Sequence, residues 1–486
     1  MRAVVGRDRI PLLVGLVGLV FAAAGFVAYP TLPSYDSMWS LVWAQEVLDG
    51  KLPSFDAYRA PTEHPLGLLV SVTIAPLGDA AAPRVFVAIT LLSFAALLAG
   101  VVRLGMLTLG LLAGLIAAML LLTRLNFAFL AAFGYFDIPF LALLVWAGAL
   151  VARDAGRRAR PRPLVWVLLI AAGLLRPESW AFAVLYGAWV WRDATAKQRW
   201  WAVVAVAAAH RTGAATDLIV TGDPAFSLTY STDHAALLGR DRGLLELPSA
   251  TLSAAAEFVK PPVLAAACIG IVLALWREPR RAAVALAIAG GGVVTFLIVS
   301  QQGFSVIPRY FALAAVGLFV FAGYALGGWE LVERGSTARR WWIAAAIPAV
   351  VLGVAVALVT LNPAKVDAEL RLRERVFGDL DSLLDSPAVR AGRRCGPLSL
   401  PNHKLAPYVR WRLHASPDQV IARSDSRVRS RTQRGVALEV RDVFDLLSHQ
   451  AFGPEANAQD PPTIGPAPAG FRRVAERGTL IASVRC

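Results

Sequence analysis

Long apolar runs separated by short basic loops are the feature of this sequence that leaves the fewest folds open. Many of the runs are about 17–22 residues long, the length an α-helix needs to cross a hydrocarbon core of roughly 30 Å. Eleven are expected to be helical spans: Ile10–Ala28, Arg84–Val102, Met106–Thr123, Phe136–Ala152, Trp200–Val220, Pro262–Trp276, Ala282–Ser300, Pro308–Trp329 and Trp341–Leu361, with a shorter pair at Pro163–Leu175 and Glu178–Trp191. The segment Leu66–Leu77 is too short to cross and is expected to be re-entrant or interfacial. Composition agrees: 57% of the residues are hydrophobic and 17% charged, against a globular norm of about 45–50% and about 25%. The first run lacks a small-residue cleavage site, so it is expected to stay as a span and not to be removed as a signal peptide.

The net charge of +14 does not imply nucleic acid, because the basic residues sit mostly in short loops between apolar runs. They act as a topology signal. Counting lysine and arginine by loop places the N-terminus in the cytoplasm under the positive-inside rule. An odd number of spans then puts the tail, from Asn362, outside. The expected organisation is a transmembrane domain over 1–361 and an extracytoplasmic soluble domain over 362–486.

That topology exposes one long polar loop, 30–82, after the first span. Its Asp36–Leu48 part has apolar residues at helical period, an acid in the first turn and Gly50 as a C-terminal stop. It is expected to lie along the membrane interface with Trp39 and Trp43 at headgroup level. The tail begins with a helical run, Val366–Leu384. Apolar patches at Gly435–Val440 and Thr479–Val484 then suggest a small α+β domain, with an exposed proline-rich loop at Asp460–Pro468. Outside the cell Cys395 and Cys486 can pair, closing a loop of roughly 90 residues and stabilising by about 4 kcal/mol in the chain-entropy model. Cys268 lies in an apolar run and is expected to pack.

A carboxylate at the outer interface can act as a general base when a hydroxyl reaches it. The first loop offers Asp36, Glu46, Asp49, Asp56 and Glu63. One span, then Tyr35-Asp36, a helix ending in Gly50-Lys-Leu-Pro, Phe55-Asp56 and Pro61-Thr-Glu-His64-Pro65-Leu66 together resemble the GT-C superfamily of membrane glycosyltransferases. The resemblance is closest to the branch of protein O-mannosyltransferases and aminoarabinose transferases, and covers about the first 330 residues. It implies an all-α polytopic fold and an active-site acid in this loop, and that role carries over to Asp36. Many members have a second acid next to the first. Here Ser37 stands in its place, so no two-carboxylate mechanism is implied and a divalent metal is left open.

Tyr35, Glu63 and His64 border the acid and are candidate substrate contacts. Asp137, in Tyr135-Phe136-Asp137-Ile-Pro139, matches the family's second loop acid. Arg176, in Gly173-Leu-Leu-Arg176-Pro177-Glu178, stands where relatives keep a basic residue facing lipid phosphate, with Glu178 as an alternative partner. Arg309 and Tyr310 open the tenth span, and a guanidinium suits phosphate. His210 and Arg211, near Asp217 in the seventh span, are ionisable groups in a membrane segment and hence site candidates. Asp223 is expected to cap a turn.

The expected function is transfer of a sugar from a polyprenyl-phosphate donor to an acceptor hydroxyl on a glycan, lipid or protein, at the outer face of a bacterial inner membrane. The bacterial assignment rests on the alanine- and arginine-rich composition. A transporter or lipid flippase, or a non-catalytic envelope protein with the same fold, are the alternatives. Internal repeats, which many transporters show, are not visible.

Overall fold

The computed structural model describes residues 9–29, 31–154, 161–237, 247–301, 307–360, 363–441 and 466–486. Every one of the eleven expected spans is helical. They form α1 (Ile10–Ala28), α4 (Ala81–Thr108), α5 (Leu111–Leu122), α7 (Asp137–Ala152), α8 (Pro163–Gly173), α9 (Ser179–Val190), α10 (Ala196–Thr221), α13 (Pro261–Arg277), α14 (Pro279–Gln301), α15 (Ala312–Gly327) and α16 (Thr337–Thr360). Between them lie α2 (Tyr35–Leu48), α3 (Pro65–Ile74), α6 (Leu125–Ala132), α11 (Phe226–Leu237) and α12 (Leu247–Phe258).

Six of the described helices are long and apolar enough to cross a bilayer, or up to eight spans if the bent pairs α5–α6 (66°) and α12–α13 (99°) each count as one. The Met106–Thr123 expectation is corrected. Met106 belongs to the end of α4, and the chain breaks at Gly110, whose φ of +114° is open to glycine.

The helix beginning at Pro308 is the central post. It is buried along almost its whole length, whereas only 6% of α1 and 6% of α16 is buried. Its neighbours approach closely because small residues meet there, as is usual where helices pack in membranes. A Cβ added at Gly323 would lie 2.2 Å from the Ala113 carbonyl oxygen of α5, and one at Gly270 of α13 would lie 1.9 Å from that of Phe321.

The tail continues through α17 (Pro363–Leu384) and α18 (Pro387–Gly392) into a five-stranded sheet with α19 (Ala406–Leu413). The strands are β1 (Leu398–Leu400), β2 (Val420–Ala422), β3 (Gly435–Val440), β4 (Arg472–Arg477) and β5 (Leu480–Arg485), in the order β2-β1-β3-β5-β4. β1 runs parallel to β2 and β3, with Ser399 opposite Ile421, while β3 and β4 run antiparallel to β5, with Val436 opposite Val484. The expected pairing of Cys395 with Cys486 is present, their Cα atoms 5.1 Å apart. It ties the chain before β1 to the residue after β5. Most of the proline-rich loop, 460–465, falls outside the described residues.

One expectation for the first loop is overturned. Trp39 and Trp43 are not at a headgroup surface; each is 1% exposed. Trp43 packs edge-on against Phe55 and its indole N–H donates to the Ser54 carbonyl, while the Arg410 guanidinium covers the Trp39 ring. The loop and the C-terminal domain fold over α2, so its aromatic face meets protein.

Candidate functional site

Local rules place Asp36. Ser34 takes the extended conformation of an N-cap, Asp36 falls in the first turn of α2, and Gly50, at φ +72°, ends the helix. Backbone and side chain then lock this turn to the segment before α7. The Ser34 amide donates to the Phe133 carbonyl at 2.6 Å, and the Ser37 hydroxyl donates to the Gly134 carbonyl at 2.6 Å. Ser37 is fully buried. Asp137, at the start of α7, is thereby brought to the same place as Asp36.

Two arginines join them. Arg309 sits in the 3-10 turn Pro308–Phe311 that opens the central helix, and its Nη2 donates to Asp36 Oδ2 at 2.9 Å. Both side chains are 23% exposed, so the pair is reachable. Arg176, in the turn between α8 and α9, donates to Asp137 through Nη1 and to Glu178 through Nη2 at 2.6 Å. Of the partners expected for it, Glu178 is present, and Asp137 joins as one the sequence did not suggest. The Tyr310 ring lies between the guanidiniums, 4.6 Å from Arg176 and 5.8 Å from Arg309, which also covers Tyr135 at 5.0 Å. Asp137, Arg176, Glu178, Arg309 and Tyr310 line a small cavity with about 10 Å³ of free volume.

His64 caps α3 and packs edge-on against Phe136, with centroids 4.9 Å apart. The Leu66 amide donates to the Leu174 carbonyl, which brings this end of the loop to the turn carrying Arg176. Burial, and then the Arg176 charge, hold the His64 imidazole below its usual pKa, so it is neutral near pH 7. Tyr35 faces away from this cluster. Its hydroxyl donates to the Arg59 carbonyl at 2.8 Å and its ring meets His403 at 5.4 Å.

Glu63 is only 8% exposed and its Oε2 has no hydrogen-bond partner. Burial, then the nearby Asp217, push its carboxyl up to about 8. Asp217 itself accepts from the Ser227 amide and hydroxyl, which fixes α10 to α11. Arg211 is exposed and does not join the cluster. Six residues along a helix separate Arg211 and Asp217 by about 600°, on different faces. His210 is helical, and its side chain falls outside the described residues. Asp223 does bond a turn, accepting from the Ala225 amide at 2.9 Å.

The other loop acids are framework or surface. Glu46 accepts from Ser54 and Arg410, and Asp49 is exposed beside Lys51. Among the described residues no group of three or more His, Cys, Asp or Glu side chains gathers to hold a metal.

Beside the charged cluster lies a groove of different character. Leu252 of α12, Leu264 of α13, Leu297 of α14, Leu318 of α15 and Phe311 line an apolar space of about 530 Å³. Phe311 of the groove follows Arg309 and Tyr310 of the cluster directly in the chain, so one short turn contributes to both. Sequence reading missed Tyr135 and His403. Tyr135 lies within a quoted motif, beside the acid that drew notice. His403, over 360 residues from Tyr35, left no local signal.

This architecture, a polytopic helical membrane fold with a C-terminal domain, is shared with a solved structure. The solved structure of ArnT from Cupriavidus metallidurans bound to undecaprenyl phosphate matches it with a TM-score of 0.51, covering 99% of this chain and 97% of that one at 14% identity. A likeness at that identity is one of fold. No protein-family model and no curated protein matches the sequence.

Proposed function

We propose that this protein is a polyprenyl-phosphate-dependent glycosyltransferase of a bacterial inner membrane, acting at the extracytoplasmic face with Asp36 as general base. The observation that carries this reading is that one turn, Arg309-Tyr310-Phe311, lines both a cavity with two arginines and an apolar groove. A polyprenyl phosphate needs both, a cationic cradle for the phosphate and an apolar path for the chain. The fold shared with ArnT, solved with undecaprenyl phosphate, supports the same ligand class.

The acceptor hydroxyl oxygen attacks the anomeric carbon of the donor sugar, the bond from that carbon to the phosphate oxygen breaks, and the hydroxyl proton passes to Asp36. The polyprenyl phosphate leaves with the bonding pair, its charge met by Arg176 and Arg309. Three carboxylates, Asp36, Asp137 and Glu178, now occupy those two guanidiniums. Donor binding therefore has to exchange carboxylate for phosphate. At Arg309 that exchange frees Asp36 for the acceptor, so base and leaving-group cation are prepared in one event.

The test is a screen of radiolabelled undecaprenyl-phosphate sugars against membranes with and without the protein, repeated with Asp36→Asn. Loss of a general base lowers the rate by about 10²–10⁴-fold, with undecaprenyl phosphate binding retained. Undiminished transfer by Asp36→Asn overturns the role of Asp36. Wild-type membranes that transfer no sugar from any donor overturn the enzymatic reading.

A further inference from the structure

Among the described residues of the C-terminal domain, the most deeply buried charge belongs to Arg410 of α19, which is 2% exposed. Its guanidinium reaches into the first loop. Nη2 lies 2.5 Å from Glu46 Oε1, Nη1 donates to Ser54 Oγ at 3.1 Å, Nε donates to the Ala415 carbonyl at 3.2 Å, and the whole group covers the Trp39 ring at 5.0 Å. Glu46 is satisfied from the other side by the Ser54 amide at 2.8 Å. The neighbouring Trp411, 1% exposed, repeats the pattern: its indole donates to the Asp79 carbonyl and its own carbonyl accepts from Gln45. Apart from the bond to Ala415, these contacts fall on α2 or on the loop that packs against it.

Taking an ion pair out of water costs several kcal/mol, which the attraction between the charges often only repays, so a buried pair is weak evidence for stability. What the pair holds here is α2. Glu46 and Asp36 lie ten residues apart on one continuous helix, about 15 Å of rise. A rigid helix pinned at Glu46 has its first turn pinned as well. Ser34 and Ser37 tie the first turn to the segment before α7, and Arg309 is the partner that Asp36 must meet from another element.

We infer that Arg410 is a positioning residue: through Glu46 the C-terminal domain sets the register of α2, and so the placement of Asp36 against Arg309. This rests on the role proposed above for Asp36. The domain is then a working part of the site and not an appended module.

The experiment uses the full chain in nanodiscs, with Arg410→Met, Arg410→Lys and Glu46→Gln. Hydrogen exchange of amides 35–48, binding of undecaprenyl phosphate, and transfer from the labelled donor selected by the screen are measured on each. Arg410→Met is expected to speed exchange in 35–48 at least tenfold. It should also lower the rate at saturating donor at least tenfold, with undecaprenyl phosphate affinity within twofold of wild type. Arg410→Lys keeps the charge and should recover a large part of both. If Arg410→Met does not fold, Glu46→Gln, which keeps the shape, carries the same expectations at smaller size. Unchanged exchange overturns the pin; faster exchange with an unchanged rate overturns the positioning role and leaves only docking. Failure of the Asp36 reading looks different, since Asp36→Asn would then transfer normally while Arg410→Met still loosened α2.

Discussion

Ser37 shows how one residue can be misjudged from a motif. Against the family pattern it looks like a lost second acid. In the structure its hydroxyl donates to the Gly134 carbonyl in a fully buried position, joining α2 to the segment that delivers Asp137. A carboxylate there would be buried against a carbonyl oxygen, which repels it. Ser37→Asp is therefore expected to destabilise by several kcal/mol, whereas Ser37→Ala should cost about 1 kcal/mol; thermal unfolding in detergent measures both. A Ser37→Asp variant as stable as wild type would show that the position tolerates the family's second acid.

Glu63 gives a pH dependence. Its folded pKa of about 8 stands above the ordinary carboxylate value, so between roughly pH 4.5 and 8 the folded chain holds a proton that the unfolded chain has released. Stability then falls as pH rises through that window, by an amount on the order of a few kcal/mol. Glu63→Gln keeps the shape without the titration and should flatten the profile over pH 5–8. A profile that keeps its slope in the variant would place the titrating group elsewhere.

Among the elements, the helix opened by Pro308 does the most to build the site, because it carries Arg309 and Tyr310 at its head and is held on several sides by close backbone approach. Its apolar periodicity was legible, as were the proline that starts it and the arginine beside that proline. The glycines that let neighbouring helices approach were visible as residues but not as contacts. Gly323→Ala puts a methyl 2.2 Å from the Ala113 carbonyl oxygen, so α5 and α15 must separate. Overpacking of this kind costs about 1–3 kcal/mol, read as a lower unfolding temperature. The cost is expected to extend to undecaprenyl phosphate binding, since α15 also lines the apolar groove. An unchanged unfolding temperature would mean that the helices can part freely here.

At the scale of the molecule, the disulfide and the seam between the domains govern stability. Cys395 and Cys486 close a loop of 91 residues, for which the chain-entropy model gives about 4 kcal/mol. Cys395→Ser should lower the stability of the C-terminal domain by that order, seen as faster proteolysis of 363–486. The loss should reach the first loop as faster hydrogen exchange, because α19 is embedded in it. Resistance to protease equal to wild type would assign the domain's stability to its sheet alone.

What the sequence by itself determined is what depends on near neighbours. Apolar run length and period marked the helices, Gly50 and the first-turn acid bounded α2, and two cysteines in the polar tail pointed to each other. Only the tertiary structure decided the pairings that make the site. Asp36 meets Arg309 across 273 residues and Glu46 meets Arg410 across 364, and no local spacing carries such a choice. Trp39 and Trp43 show the physical reason most clearly. An amphipathic aromatic gains nearly as much at a lipid headgroup as in a protein seam. Which of the two it occupies depends on whether a domain encoded more than 300 residues later folds back over it, and here it does.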